Sequence, residues 1–349
     1  MIETVELTLS HVGLGDLNEF ALLNLFASLQ ARVLTAGTGK TLSEIADKDG
    51  RGLYPAYYRT HLRVPANRPL ARHQLWRPLR IGLEVRTFGR MLLESTCVAG
   101  FPEEVAEDPE QWTDSLPILD GSNMFIVEGE DEEQQVAVPA AGCVARLPSL
   151  TAPPESMDRF RRVRTEGSLD PGFDGPLRCE GSIPYPIVAG RDAAPGRNMV
   201  FSRFVEIMDH AEWTLLAERV RPGFPTALVA CRQLLERETF YFGNCRSGEV
   251  VEAEIRGRLV VGPPEFHGPA TAAISVGILS FFLELYQRGS NMLLAAARVR
   301  KLLKVPTARQ SLLRDAERLL FQYGAEEEAA ADSDPPSEGS PHGARTGDS

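Results

Sequence analysis

Two similar α+β units, each a curved antiparallel sheet wrapped around one central helix, are what this sequence of 349 residues predicts. Three observations carry the expectation. The phrase Ser-Asn-Met occurs twice, as Ser122-Asn123-Met124 before Phe125-Ile126-Val127 and as Ser290-Asn291-Met292 before Leu293-Leu294-Ala295. Upstream of each copy stands a long helical pattern entered through Asn: Asn18 before Phe20 to Val33, and Asn198 before Met199 to Leu216. Several strand-like runs separate helix from phrase in both halves. A shared order of elements points to duplication, so the chain reads as an internal repeat.

The first unit opens with a loosely alternating strand over 3–14 that ends at Gly13 and Gly15. Phe20, Leu23, Leu25, Phe26, Leu29 and Val33 recur at helical spacing and form one apolar stripe. Asp16 and Asn18 are natural N-caps, and Gly37 and Gly39 stop the helix. Strands follow at Tyr54 to Val64, Leu79 to Phe88, Met91 to Ala99 and Asn123 to Glu128, with 100–121 as an irregular insertion. The second unit repeats the order: a strand from Ile183 to Val188, a helix bearing Phe201, Phe204, Val205, Ile207, Met208, Ala211 and Leu215, then four strand candidates from Ala227 to Leu302. A sheet curved around one long helix is the hotdog arrangement, so the expected fold is α+β, a double hotdog. The expected boundaries are 1–130 for the first unit, 131–182 for a connector and 183–306 for the second unit. A C-terminal helix follows at 307–324, then a tail at 325–349.

The composition excludes several function classes. The net charge of −11 is uneven, because 325–349 hold seven acidic side chains, one arginine and no aromatic residue. Such a segment buries too little apolar surface to offset the entropy of ordering, which predicts a disordered acidic tail. An acidic chain without a recognisable binding motif argues against a nucleic-acid partner. No apolar run approaches the roughly 20 residues of a membrane helix, and the start Met-Ile-Glu-Thr-Val-Glu carries no secretion signal. Five scattered cysteines lack metal spacing and read as reduced thiols, so the expected location is cytoplasmic, with no metal. Arginines cluster between Arg59 and Arg90 and between Arg159 and Arg164. Solvated faces are the plainer reading, and a docking surface for phosphates or an acidic carrier protein is the sharper one.

Two stretches carry a resemblance. Asn198-Met199-Val200-Phe201-Ser202-Arg203-Phe204-Val205-Glu206-Ile207-Met208-Asp209 is followed by Arg237-Glu238-Thr239-Phe240-Tyr241-Phe242-Gly243-Asn244. In the first half, Gly15-Asp16-Leu17-Asn18-Glu19 opens the helix and Leu53-Tyr54-Pro55-Ala56-Tyr57-Tyr58 opens the next strand. Over about 5–305 the chain resembles a family of double-hotdog acyltransferase/decarboxylases of polyketide biosynthesis, which includes the leinamycin-pathway enzyme. The resemblance implies decarboxylation of a malonyl- or methylmalonyl-CoA thioester and transfer of the acyl group to an acyl carrier protein. The implied partners are acyl-CoA and the carrier protein, with no cofactor beyond the coenzyme A thioester as substrate. Pairing of two chains as a homodimer is left open. It also implies an active-site tyrosine in the strand after the first helix, carried over to Tyr54 or Tyr58, which share a strand face that Tyr57 does not.

From the residues themselves, the enolate of such a reaction needs donors for a thioester oxygen, and backbone N–H groups at a helix start supply them. The turn Gly13-Leu14-Gly15-Asp16-Leu17-Asn18 is the candidate place, with Asn198 and Ser202 as counterparts in the second unit. Simple capping is the plainer role of Asn18. A tyrosine acting as nucleophile needs an activating neighbour, for which His11 and His61 are candidates, His61 falling on the Tyr57 face. A hotdog thioesterase or dehydratase is the alternative reading, with Asp16, Glu19 or Asp209 as the acid. A third is a double hotdog that binds acyl carriers without catalysis.

Overall fold

A computed structural model describes residues 1–8, 11–13, 16–127, 137–140, 143–166, 169, 179–193, 199–219, 228, 232–262, 274–290 and 292–320. In chain order the strands begin with β1 (Ile2–Glu6), the short pair β2 (Val12–Gly13) and β3 (Asp16–Leu17), β4 (Leu53–Arg63), β5 (Pro78–Phe88), β6 (Leu92–Gly100) and β7 (Ile118–Val127). They continue with β8 (Cys179–Pro186), β9 (Gln233–Tyr241), β10 (Val250–Val261), β11 (Ile274–Gln287) and β12 (Met292–Pro306). The helices are α1 (Glu19–Thr38), α2 (Glu155–Glu166), α3 (Phe201–Thr214) and α4 (310–320).

All strands but the β2–β3 pair join one sheet of order β1-β5-β6-β7-β4-β9-β12-β11-β10-β8. Read inward from either edge, the order is the same: an edge strand, three meander strands, then the strand that follows the helix. Strands β4 and β9 meet antiparallel at the centre, Arg59 opposite Phe240 and Arg63 opposite Glu236. A pseudo-twofold axis therefore passes through the seam. This is a double hotdog.

Each half of the sheet curls around its own helix. Asn18 caps α1 by accepting a hydrogen bond from Ala21 N at 2.7 Å, and Gly39 ends it in the left-handed region with φ 68°. The buried stripe Leu22, Leu23, Phe26, Leu29 and Leu34 packs with Ile81, Leu83, Leu93 and Phe125. Each such side chain removed from water contributes roughly 1.5–3 kcal/mol. Though Asn24, Gln30 and Arg32 break any continuous apolar run, α1 passes as a membrane span by length and mean hydropathy alone, and this core stripe accounts for that composition. In the second half Phe204, Ile207, Met208 and Ala211 of α3 pack with Val251, Ala253, Leu279 and Phe281. Helix α2 lies on the outer face of the sheet, where Met157, Phe160 and Val163 cover Tyr58, Phe240 and Phe282.

Three details differ from the sequence reading. Strand β7 starts at Ile118, inside the stretch expected to be irregular. Ser122-Asn123-Met124 lie within β7, whereas Ser290 lies in the turn before β12, so the repeated phrase does not occupy matching positions. Helix α3 begins at Phe201 after Val200, with no side-chain cap. Asn198, Gly15 and the acidic tail at 325–349 lie outside the described residues.

Candidate active site

The two helices run antiparallel across the seam, so the start of α1 meets the middle of α3. There Glu19, the first residue of α1, faces Asp209 and Glu212 of α3, with Arg237 of β9 between them. Arg237 donates from Nε to Glu19 Oε2 at 3.0 Å and from Nη2 to Asp209 Oδ1 at 2.7 Å. Its Nη2 lies 3.6 Å from Glu212 Oε1. Lys301 of β12 donates to Asp209 Oδ1 at 2.8 Å and also to Glu212 Oε2. Arg232 Nη1 reaches Glu212 Oε2 at 3.2 Å.

Burial separates the roles of these groups. Arg237 and Glu212 are fully enclosed, while the Asp209 side chain is 46% exposed and gives the cluster its opening to solvent. Burial pushes the Glu19 carboxyl up to about 7, against the pull of Arg237 and with help from the Asp209 charge. Burial alone would raise Asp209 too, but Lys301 and Arg237 overcome it and hold that carboxyl well below the usual range. Two carboxylates driven apart in acidity, at a solvent opening, are the arrangement in which one acts as proton carrier and the other stays charged.

The neighbouring wall is aromatic. Tyr241 stands 5.4 Å from the Phe204 ring and 6.3 Å from Phe201, and its hydroxyl lies 3.0 Å from Thr60 Oγ1. Phe201 stacks on Tyr57 at 4.1 Å, and Tyr57 leans on Phe26 at 5.9 Å. Phe26 in turn fills the space over Gly121, where a Cβ would come within 2.4 Å of the ring.

The pseudo-twofold axis relates this cluster to a second polar group. Gln30 and Glu212 both stand twelve residues beyond their helix's N-cap (18 to 30, 200 to 212). Asn123 pairs with Tyr57 just before the β4 bulge, and Lys301 pairs with Leu234 at the β9 bulge. Helix residue and strand residue bond in both units: Gln30 Nε2 to Asn123 Oδ1 at 2.7 Å, and Lys301 to Glu212. In the first unit the network is neutral. Gln30 also donates to Ser95 Oγ at 2.7 Å, accepts from the Tyr57 hydroxyl at 2.7 Å, and Asn123 donates to Pro55 O at 3.1 Å.

The residues singled out from sequence do not gather at one place. Tyr54 lies on the outer face and is 51% exposed. Tyr58 shares that face but is buried under α2, donating to Glu94 Oε1 at 2.7 Å with Ser156 Oγ 2.8 Å away. Burial and the Glu94 charge raise the Tyr58 phenol, the opposite of activation. His61 does not share the Tyr57 face: the bulge between Tyr57 and Arg59 inserts one residue and reverses the alternation. His61 instead contacts Glu236 Oε1 at 2.9 Å and Arg59 Nη2 at 3.1 Å. Gly13 and Asp16 fall in the β2–β3 pair beside the α1 start, and His11 Nδ1 accepts from Thr8 N at 3.0 Å. Asn18 spends its side chain on the cap, and Ser202 donates to Asn24 Oδ1 at 3.0 Å between the helices. Arg237 entered the sequence reading only as the start of a resembling stretch, and Lys301 not at all, because a cation in a strand shows no role until its partners are known.

Many of the clustered arginines are engaged within the chain. Glu104 holds Arg68 and Arg72, Arg80 meets Glu107 at 3.1 Å, and Arg63 meets Asp120 at 2.9 Å. Among the described residues no group of three or more His, Cys, Asp or Glu could hold a metal ion.

No protein-family model matches the sequence, and no curated protein is similar to it in sequence. Solved structures are similar in fold. A candidate oleoyl thioesterase from Lactobacillus plantarum superposes with a TM-score of 0.57 at 10% identity, covering 86% of this chain and 95% of that one. An acyl-ACP thioesterase from Bacteroides thetaiotaomicron gives 0.53 at 11% identity, covering 86% and 97%. Identities this low speak for architecture alone, and the architecture shared is the double hotdog.

Proposed function

We propose that this chain is an enzyme acting on acyl thioesters and that its reaction is hydrolysis, with Glu19 as the general base. The observation that carries the reading is the meeting of Glu19 and Asp209, from different units, on the Arg237 guanidinium beside a solvent opening. A carboxyl raised by burial toward neutral pH is poised to move a proton both ways. Glu19 takes a proton from water as the water oxygen bonds to the thioester carbon. The oxyanion forms at the α1 start, where the Glu19 and Phe20 N–H groups have no intrahelical acceptor, Ala21 N being held by Asn18. The carbon–sulfur bond then breaks, and the leaving thiolate takes the proton back from Glu19. Asp209 stays charged and, with Lys301, keeps Arg237 oriented. Hydrolysis is also the reaction named for two proteins that share the double-hotdog architecture.

The test is a product assay: the purified chain with acyl-, malonyl- and methylmalonyl-CoA, with and without an acyl carrier protein, followed by intact-mass measurement. Free acid from the wild type and a loss of about 10²-fold or more in Glu19→Gln support hydrolysis. Release of carbon dioxide with acylation of the carrier would instead support the decarboxylase/acyltransferase reading, and Tyr54→Phe and Tyr58→Phe would then be the variants to measure. Unchanged thioester in every arm would remove the enzymatic reading.

A further inference from the structure

Trp76 carries a cost that the fold does not explain. Its φ is 63°, in the left-handed region, yet it is neither glycine nor asparagine. It occupies the third position of the turn Gln74-Leu75-Trp76-Arg77, closed by Arg77 N donating to Gln74 O at 3.1 Å. That position favours glycine when φ is positive. The conformation is pinned from outside: Trp76 N donates to Leu7 O at 2.8 Å, and Leu7 N to Arg77 O at 3.2 Å. Strain of this kind persists only where the surroundings over-determine it, and it concentrates at ligand sites.

The strain holds an indole out in water. Trp76 is 61% exposed, and among the described residues its ring stacks on no other and its Nε1–H has no acceptor. The next residue, Arg77, is also exposed and makes no ion pair among the described residues, unlike Arg68 and Arg72 on Glu104. The turn adjoins the candidate site, because His73, three residues earlier, accepts from Leu17 N at 2.8 Å, two residues before Glu19. The other exposed large apolar residues among the described ones, from Met1 and Tyr54 to Val260 and Ile274, lie elsewhere in the chain. A protein partner would need a contiguous apolar patch here. A single bare ring next in sequence to a single guanidinium matches a planar heteroaromatic ligand bearing phosphate.

We propose that Trp76 and Arg77 bind the nucleotide end of a coenzyme A thioester, the indole stacking on the base and the guanidinium meeting a phosphate. The proposal rests on the thioester reading above and narrows its substrates to coenzyme A thioesters. Calorimetric titration of the full chain with coenzyme A, with its nucleotide fragment and with pantetheine tests it directly. Wild type binds coenzyme A and the nucleotide fragment. Trp76→Gly, which suits the backbone at this position, melts at a higher temperature yet loses about tenfold or more in affinity for both. Arg77→Gln weakens the two phosphate-bearing ligands but not pantetheine. Equal affinity in Trp76→Gly and wild type, or no binding of the nucleotide fragment by wild type, overturns the proposal. Hydrolysis of a pantetheine thioester is followed separately: turnover without nucleotide binding overturns the platform alone, and nucleotide binding without turnover overturns only the reaction.

Discussion

Gln30 with Asn123, and Glu212 with Lys301, occupy matching positions in the two units, yet one pair is neutral and the other charged. Gln30 stands about 16 Å along α1 from Glu19, deep under the first half of the sheet. Its amide, the Ser95 hydroxyl, the Asn123 amide and the Tyr57 hydroxyl satisfy one another. A satisfied neutral network fixes a core and offers little to a substrate. The charged pair gains Arg237, Arg232, Asp209 and Glu19 and opens to solvent through Asp209. Duplication supplied the same frame twice, and the side chains placed on it divide structure from chemistry.

Breaking the charged side has the larger effect on stability. Arg237→Leu leaves Glu19 and Glu212 buried without their shared cation and is expected to cost about 3–5 kcal/mol in urea unfolding. A loss below about 1 kcal/mol would mean that the carboxylates find other partners or water. Gln30→Leu breaks the neutral side. It leaves Tyr57, Ser95 and Asn123 short of a partner, for an expected loss of about 1–3 kcal/mol with thioester turnover retained. Turnover falling as far as in Glu19→Gln would show that the neutral network shares in the reaction and that structure and chemistry are not divided between the two networks.

The element order was legible because helical stripes such as Leu23, Phe26 and Leu29 differ in period from the strands around them. The duplication was legible too, though the phrase that suggested it falls at unmatched positions, and the matched residues are chemically unlike. Glu19 and Asp209 were recognisable as acids. That one guanidinium from β9 joins them depends on antiparallel helices crossing at the seam, a relation no local pattern encodes. The face of His61 was illegible for a similar reason: alternation holds only until a bulge, and Tyr58-Arg59 carries no mark of one. For Tyr58 the alternation was right, but the cover that α2 places over it came from a distant connector.

The proposed reacting base is the raised Glu19 carboxyl, held between the two units. The dependence of kcat/KM on pH, measured for wild type and Glu19→Gln on one short acyl-CoA, tests it most directly. A base works in its ionised form, so the wild-type rate should climb as pH rises through about 7 and then level. In Glu19→Gln the rate should fall about 10²-fold or more, and that ionisation should vanish. An unchanged profile in Glu19→Gln, with the same rise near 7, would rule Glu19 out as the base.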